Sequence, residues 1–199
     1  MKTSFPPHTM RLACGLALAG SMLTAGLGAQ SPAARIRSEI SHSAMTPIRG
    51  TLHRLAQPRF DTGRMPAATR LDGVSIVFNR TPAQQAALDR LIGGQQDPAS
   101  PQYHKWLTPD EFAARFGMSA ADLDRVQGWL REQGFAIDSV SRSRNAIRFS
   151  GTAGQVEAAF ATEMHTYNVN GQRHFAPSTQ LSAPAAIAAA TTSFTFTIQ

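Results

Sequence analysis

Ser150-Gly151-Thr152-Ala153 is the stretch that comes nearest to catalytic chemistry, because a serine beside a glycine at a strand-to-helix turn is how many hydrolases present a nucleophilic hydroxyl. The position after Thr152 holds Ala153 instead of a second hydroxyl, and Thr152 with Gln155 reads as a capping box that opens a helix. His165 and His174 face each other across a presumptive hairpin, but without a carboxylate or thiolate at ligand spacing they make a poor zinc site and read as ordinary strand histidines. Asp110-Glu111 and the pair Asp122 and Asp124 resemble acid-base couples. Each falls in the first turn of a helix, where a carboxylate already complements the helix dipole. No glycine loop for phosphate is present, so the residues by themselves describe a domain without catalytic machinery and without a cofactor or metal site.

Binding chemistry is more prominent. QQDPASPQYHKWLTP, residues 95–109, opens as a loop and then sets Tyr103, His104, Lys105 and Trp106 in a row. Interfaces favour aromatic groups and arginine, so Tyr103, His104 and Lys105 are candidate partner-binding residues, joined by Arg54 and Arg59 of a basic segment upstream. Leu107 and Phe112 stand at the two ends of a hydrophobic staple, which places Leu107, and Trp106 with it, among structural residues.

The elements that would hold these residues follow from periodicity and caps. Val74, Ile76 and Phe78 alternate as a strand, and Thr81-Pro82 with Gln84 starts a helix whose apolar face is Leu88, Leu91 and Ile92, with Gly93-Gly94 as the expected end. Thr108-Pro109 with Glu111 starts a second helix that stops at Gly117, and Ser119 with Asp122 starts a third that runs to Gly134. Strands over 135–140 and 146–149 flank a polar turn at 142–145, a helix covers 152–161, and Asn170-Gly171 closes a hairpin between 164–169 and 172–175. In order this is β-α-β-β-α-β, the scheme of a ferredoxin-like α+β fold with an antiparallel sheet and helices on one face.

Composition bounds the rest. Lys2 and Arg11 precede an apolar run over 12–27 that lacks acids, and the small residues up to Ala29 suit cleavage, so 1–29 reads as a signal peptide and the protein as secreted or periplasmic. That run is short and rich in Gly and Ala, which argues against stable membrane insertion once the leader is removed. The single cysteine, Cys14, would leave with it, so neither a disulfide nor a thiol nucleophile is available. Residues 30–70 hold seven Arg against Glu39 and Asp61, whereas 71–199 is nearly neutral. The basic segment reads as a partly extended arm. Export and the lack of a basic motif with interleaved aromatics exclude nucleic acid as the expected partner.

The run "LIGGQQDPASPQYHKWLTPDEFAARFG", followed by "VQGWLREQGF", "FSGTAGQVEAAF" and "YNVNGQRHFAP", resembles the pro-kumamolisin activation domain, the propeptide of sedolisin-type serine-carboxyl peptidases, over roughly residues 48–187. The resemblance implies a propeptide that assists folding of a peptidase domain and holds it inactive until acid favours its removal. It also implies that the Ser-Glu-Asp triad and the calcium site belong to that other domain, so no residue here inherits a catalytic role. The expected division is therefore signal peptide 1–29, basic arm 30–70, activation domain 71–187 and a C-terminal tail 188–199 in which Phe194, Phe196 and Ile198 alternate. For the tail three readings stay open: a truncated or fragmentary gene product, a propeptide acting in trans, and a stand-alone secreted binding module.

Overall fold

The structure, a computed structural model, describes residues 1, 32–37, 40 and 44–196. The signal-peptide reading therefore falls, apart from Met1, outside the described residues. Along the chain the elements are β1 (Met45–Pro47), a 3-10 turn (Pro58–Phe60), β2 (Asp61–Arg64), β3 (Arg70–Phe78), α1 (Pro82–Gln96), α2 (Pro109–Phe116) and α3 (Ala120–Glu132). They continue with β4 (Ala136–Val140), β5 (Ala146–Thr152), α4 (Ala153–Phe160), β6 (Met164–Val169), β7 (Gln172–Pro177), β8 (Ser182–Pro184), α5 (Ala185–Ala188) and β9 (Thr191–Thr195). The class is α+β, and every strand pair is antiparallel.

The principal sheet has the order β4-β5-β3-β9. With α1 to α3 between β3 and β4, and α4 after β5, the connectivity is β-α-β-β-α-β as expected, but its fourth strand is not the expected one. Residues 164–169 instead pair with β2 and β7 in a separate three-stranded sheet, and 191–195 close the principal sheet against β3. The physical reason lies in Phe194. It stands opposite Ile76 and meets the Phe160 ring edge-on at 4.9 Å, so the alternation read as a tail is an edge strand with one side toward the core.

Helices and sheet are joined by a knot of aromatic rings. Trp129 of α3 packs edge-on against Phe160 of α4 at 5.5 Å, Phe135 against Phe149 of β5 at 4.9 Å, and Phe149 lies 6.2 Å from Phe160. Ile76, Ile147 and Phe149 have no exposed surface, and Val74 and Leu130 are equally enclosed. Alternate residues of the same strands, Ser75, Val77 and Arg148, point the other way and stay partly or fully exposed. One sheet face is thus covered by α3 and α4 and the other is open.

The three capping boxes form as their residues require. Thr81, Thr108 and Thr152 accept the N3 amide, while Gln84, Glu111 and Gln155 return a bond to the cap amide. At Ser119 the cap hydroxyl accepts the Asp122 amide, and Asp122 turns elsewhere: fully buried, its carboxylate accepts the backbone N–H groups of Arg35 and Ile36, both at 2.8 Å. Ile36 and Ile48 consequently enter the core, and β1 pairs with β8. The segment read as an extended arm therefore contributes two strands, β1 and β2, and two core isoleucines. A second correction concerns α1, which passes through Gly93-Gly94 to Gln96 and gives way before Pro98, a residue that disfavours helix in its predecessor.

The aromatic knot sets two expectations for equilibrium denaturation followed by circular dichroism. Phe160→Ala removes a ring that touches α3, β5 and β9 and should cost about 3–5 kcal/mol. Thr152→Ala removes only the α4 cap and should cost about 1 kcal/mol. Equal losses would mean that α4 is held by its cap instead of by the rings.

Candidate functional site

The most prominent exposed side chains belong to the loop between α1 and α2. Tyr103 stacks on His104 with ring centroids 3.8 Å apart, and His104 lies nearly parallel to Trp106 at 6.1 Å, so three rings form an outward ladder with Lys105 beside them. Trp106 is 69 % exposed and Tyr103 38 %. Trp106 therefore does not share the structural role of Leu107, which packs with Phe112 against the small cluster of Leu88, Leu91 and Phe116. The staple logic fixes Leu107 but says nothing of its neighbour, whose side chain leaves the loop in another direction.

The loop is shaped by its backbone. Buried Gln95 donates from its side chain to the Lys105 carbonyl at 2.6 Å, and its own carbonyl accepts the His104 amide at 3.1 Å. His104 takes a left-handed conformation, with φ of 54°, that costs a non-glycine residue strain energy and here turns the imidazole between its two aromatic neighbours. Gly94 allows the close return, because a side chain there would press on Ser100 and Gln102. Arg54 and Arg59 are also exposed, Arg59 lying over the Phe60 ring at 4.6 Å.

A second surface is the open face of the principal sheet. Register places Ala136 and Ser139 of β4, Ala146 and Arg148 of β5, Ser75 and Val77 of β3, and Ser193 and Thr195 of β9 on it. Ser150, opposite Ala136, shares this face and donates to the exposed Asp138 carboxylate, so apart from Arg148 and Asp138 these are small side chains; Arg148 lies across Gly73, where a Cβ would collide with the guanidinium. The face is consequently flat and carries little of its own bulk.

The hydrolase-like stretch is fully occupied by structure. Ser150 donates to Asp138 at 2.6 Å and accepts the Gly73 amide, with no imidazole among its partners. A side chain at Gly151 would collide with the Phe135 ring, and Thr152 caps α4. Among the described residues no group of three or more His, Cys, Asp or Glu side chains is arranged to hold a metal ion.

His165 does find carboxylates, one from a strand far away in the sequence and one two residues before it. Its Nδ1 lies 2.7 Å from Asp61 of β2 and its Nε2 3.3 Å from Glu163, while His174 stands opposite Tyr167 instead of opposite His165. Arg64 of β2 completes the cluster, donating to Glu157 of α4 at 2.6 Å and lying 3.5 Å from Glu163. Glu157 is buried and also accepts the Met164 amide at 2.8 Å. Burial alone would lower the His165 pKa, but its bonds to Glu163 and Asp61 outweigh burial and raise it. The bond from the Gly63 amide, with the histidine, holds the Asp61 carboxyl below its ordinary range, and the Arg64 hydrogen bond does the same for Glu157. The sequence reading named His165 and counted Asp61 only as a charge; it joined neither to Arg64 or Glu157 because the β2–β6 pairing is set by tertiary contacts, and it passed over Glu163, two residues from His165.

Comparison with known proteins supplies the context. The sequence profile described as "Pro-kumamolisin, activation domain" matches residues 61–193, two thirds of the chain, from β2 into β9. The chain is 28 % identical over 137 residues to xanthomonalisin of Xanthomonas sp., covering 69 % of this chain and 17 % of that protein. It is 35 % identical over 114 residues to a tripeptidyl-peptidase of Aspergillus fumigatus, with 54 % and 18 % covered. To sedolisin of Pseudomonas sp. it is 30 % identical over 109 residues, with 55 % and 19 % covered. The chain thus spans less than a fifth of the length of these curated relatives. The profile match takes in the Tyr103–Trp106 loop and the rings from Trp129 to Phe160, and the chain belongs to the pro-kumamolisin activation domain family, the pro-region of sedolisin-type serine-carboxyl peptidases.

Proposed function

We propose that this chain serves as folding aid and inhibitor of an exported sedolisin-type peptidase domain, and that it grips that domain through the open sheet face and the Tyr103–Trp106 ladder. The family match supports the role, and one structural observation carries the choice of surface. Trp106 and Tyr103 are held in a strained, hydrogen-bonded loop and yet are exposed, an arrangement that does nothing for the domain's own core and suits a partner's. Aromatic anchors ordered before association lose little entropy on binding, which is why such residues dominate binding energy. The flat sheet face, made mostly of small side chains, adds area.

Lys105 and His104 complement acidic groups, as do Arg54 and Arg59 upstream. The basic character of 30–70 thus belongs to the same reading, as a second contact region. Calcium would belong to the peptidase domain. Export is expected from the apolar leader and fits this partner. No helix among the described residues is long and apolar enough to cross a membrane.

The purified chain, added to mature sedolisin at pH 6, should inhibit peptide hydrolysis with saturable stoichiometry and show no hydrolysis of its own. Trp106→Ala and Tyr103→Ala should each weaken inhibition about tenfold or more, equivalent to about 1.4 kcal/mol, with the circular dichroism spectrum unchanged. Inhibition insensitive to both substitutions would remove the ladder from the interface. No inhibition by the intact chain of this peptidase or of xanthomonalisin would contradict the assignment and favour an independent binding module.

A further inference from the structure

β2 is an edge strand with an unusual lack of apolar support. All four of its residues, Asp61 to Arg64, are exposed, its pairing with β6 is broken by a register shift between Asp61 and Gly63, and burial resumes only at Met65 immediately after it. Its hold on the domain therefore consists of ladder bonds, the Met65 amide donating to the Met164 carbonyl at 2.8 Å among the backbone contacts nearby, and the polar cluster on one side of it. In that cluster Glu157 occupies the centre: one buried carboxylate accepts from Arg64 of β2 and from the Met164 amide at the start of β6 while belonging to α4.

We infer that Asp61, Arg64, Glu157, Glu163 and His165 form an acid-sensitive clasp that keeps β2 fastened to β6 and α4 in mildly acidic and neutral solution and releases it in strong acid while the principal sheet stays folded. This inference concerns the domain alone and goes beyond the proposed inhibitory role.

The charged and titratable neighbours are few. The 3-10 turn before β2 contributes Arg59, β6 contributes Tyr167 opposite Asp61, and β7 contributes His174 opposite Tyr167 and Arg173 farther along the hairpin. Glu157 is the single charged residue of α4. Of these cations Arg64 and His165 contact the carboxylates directly, and protonating the carboxylates leaves those two without their counter-charges.

The signs follow from the direction of each shift. His165 is raised, so its contribution is complete below its ordinary value near 6.5 and fades as pH climbs past the raised one. Asp61 and Glu157 are lowered, so theirs is complete above their ordinary values of 3.8 and 4.5 and fades as pH falls through the lowered ones. The clasp is therefore tightest between roughly pH 4.5 and 6.5. Protonation of His165 strengthens it, and protonation of the carboxylates opens it. An opened β2 is an unpaired, exposed segment, the kind of chain that peptidases cleave first.

Hydrogen exchange of the full chain, corrected for the intrinsic pH dependence of amide exchange, tests this. The peptide containing Met65 should be protected at pH 5.5 and lose at least about tenfold in protection at pH 3, while amides of Ile76 and Phe149 keep theirs. Glu157→Gln should abolish the protection of Met65 already at pH 5.5. Should that variant fail to fold, Asp61→Asn, at an exposed edge position, carries the same expectation in weaker form. His165→Gln should leave the acid transition in place and remove the decline in melting temperature above pH 6.5. Protection at Met65 that is unchanged between pH 5.5 and 3, or that disappears together with the protection of Ile76 and Phe149, would overturn the clasp.

Discussion

Phe160 is the residue on which the arrangement rests. Its ring is touched by Trp129 from α3, by Phe149 of β5 and Phe135 just ahead of β4, and by Phe194 from β9, so one side chain registers two helices against both the middle and an edge of the sheet. It is fully enclosed and stands at the end of a helix of only eight residues. Such a helix is too short to persist by propensity. Packing supplies what local structure cannot, and because all of that packing lies on one side of the sheet, the opposite face is left open.

That asymmetry links fold to role. A domain whose helices cover one face must either protect the other with polar residues or place it against something else. Here the free face bears alanine, serine, threonine, one valine, one arginine and one aspartate, chemistry that tolerates water and also accepts a flat partner without clash. The Tyr103–His104–Trp106 ladder is a different device, a short loop whose backbone strain is offset by Gln95 and whose rings are ordered in advance. The two surfaces together give the proposed grip on a peptidase domain both area and anchors.

Much of this was legible in the sequence, and the parts that were not share a cause. Capping residues act within four positions, so Thr81, Thr108, Ser119 and Thr152 announced their helices directly, and Asn170-Gly171, with φ of 53° and 80°, announced its turn. The α+β class followed from the order of these local signals. Long-range pairing was hidden. Nothing local says that 191–195 pairs with β3 across more than a hundred residues, or that Asp61 meets His165, or that Asp122 spends its carboxylate on the amides of Arg35 and Ile36. Trp106 was misplaced because a staple specifies one apolar residue before the cap and is silent about the next.

The central claim, that an activation domain with one covered and one open face holds a peptidase through the open face and the aromatic loop, is tested most directly by a hydrogen-exchange footprint of this chain bound to mature sedolisin at pH 6. The account predicts added protection at residues 100–107 and along β4 and β9, the strands that edge the open face, with little change in α3. Protection confined to α3 and α4, or a footprint that leaves 100–107 untouched, would contradict it.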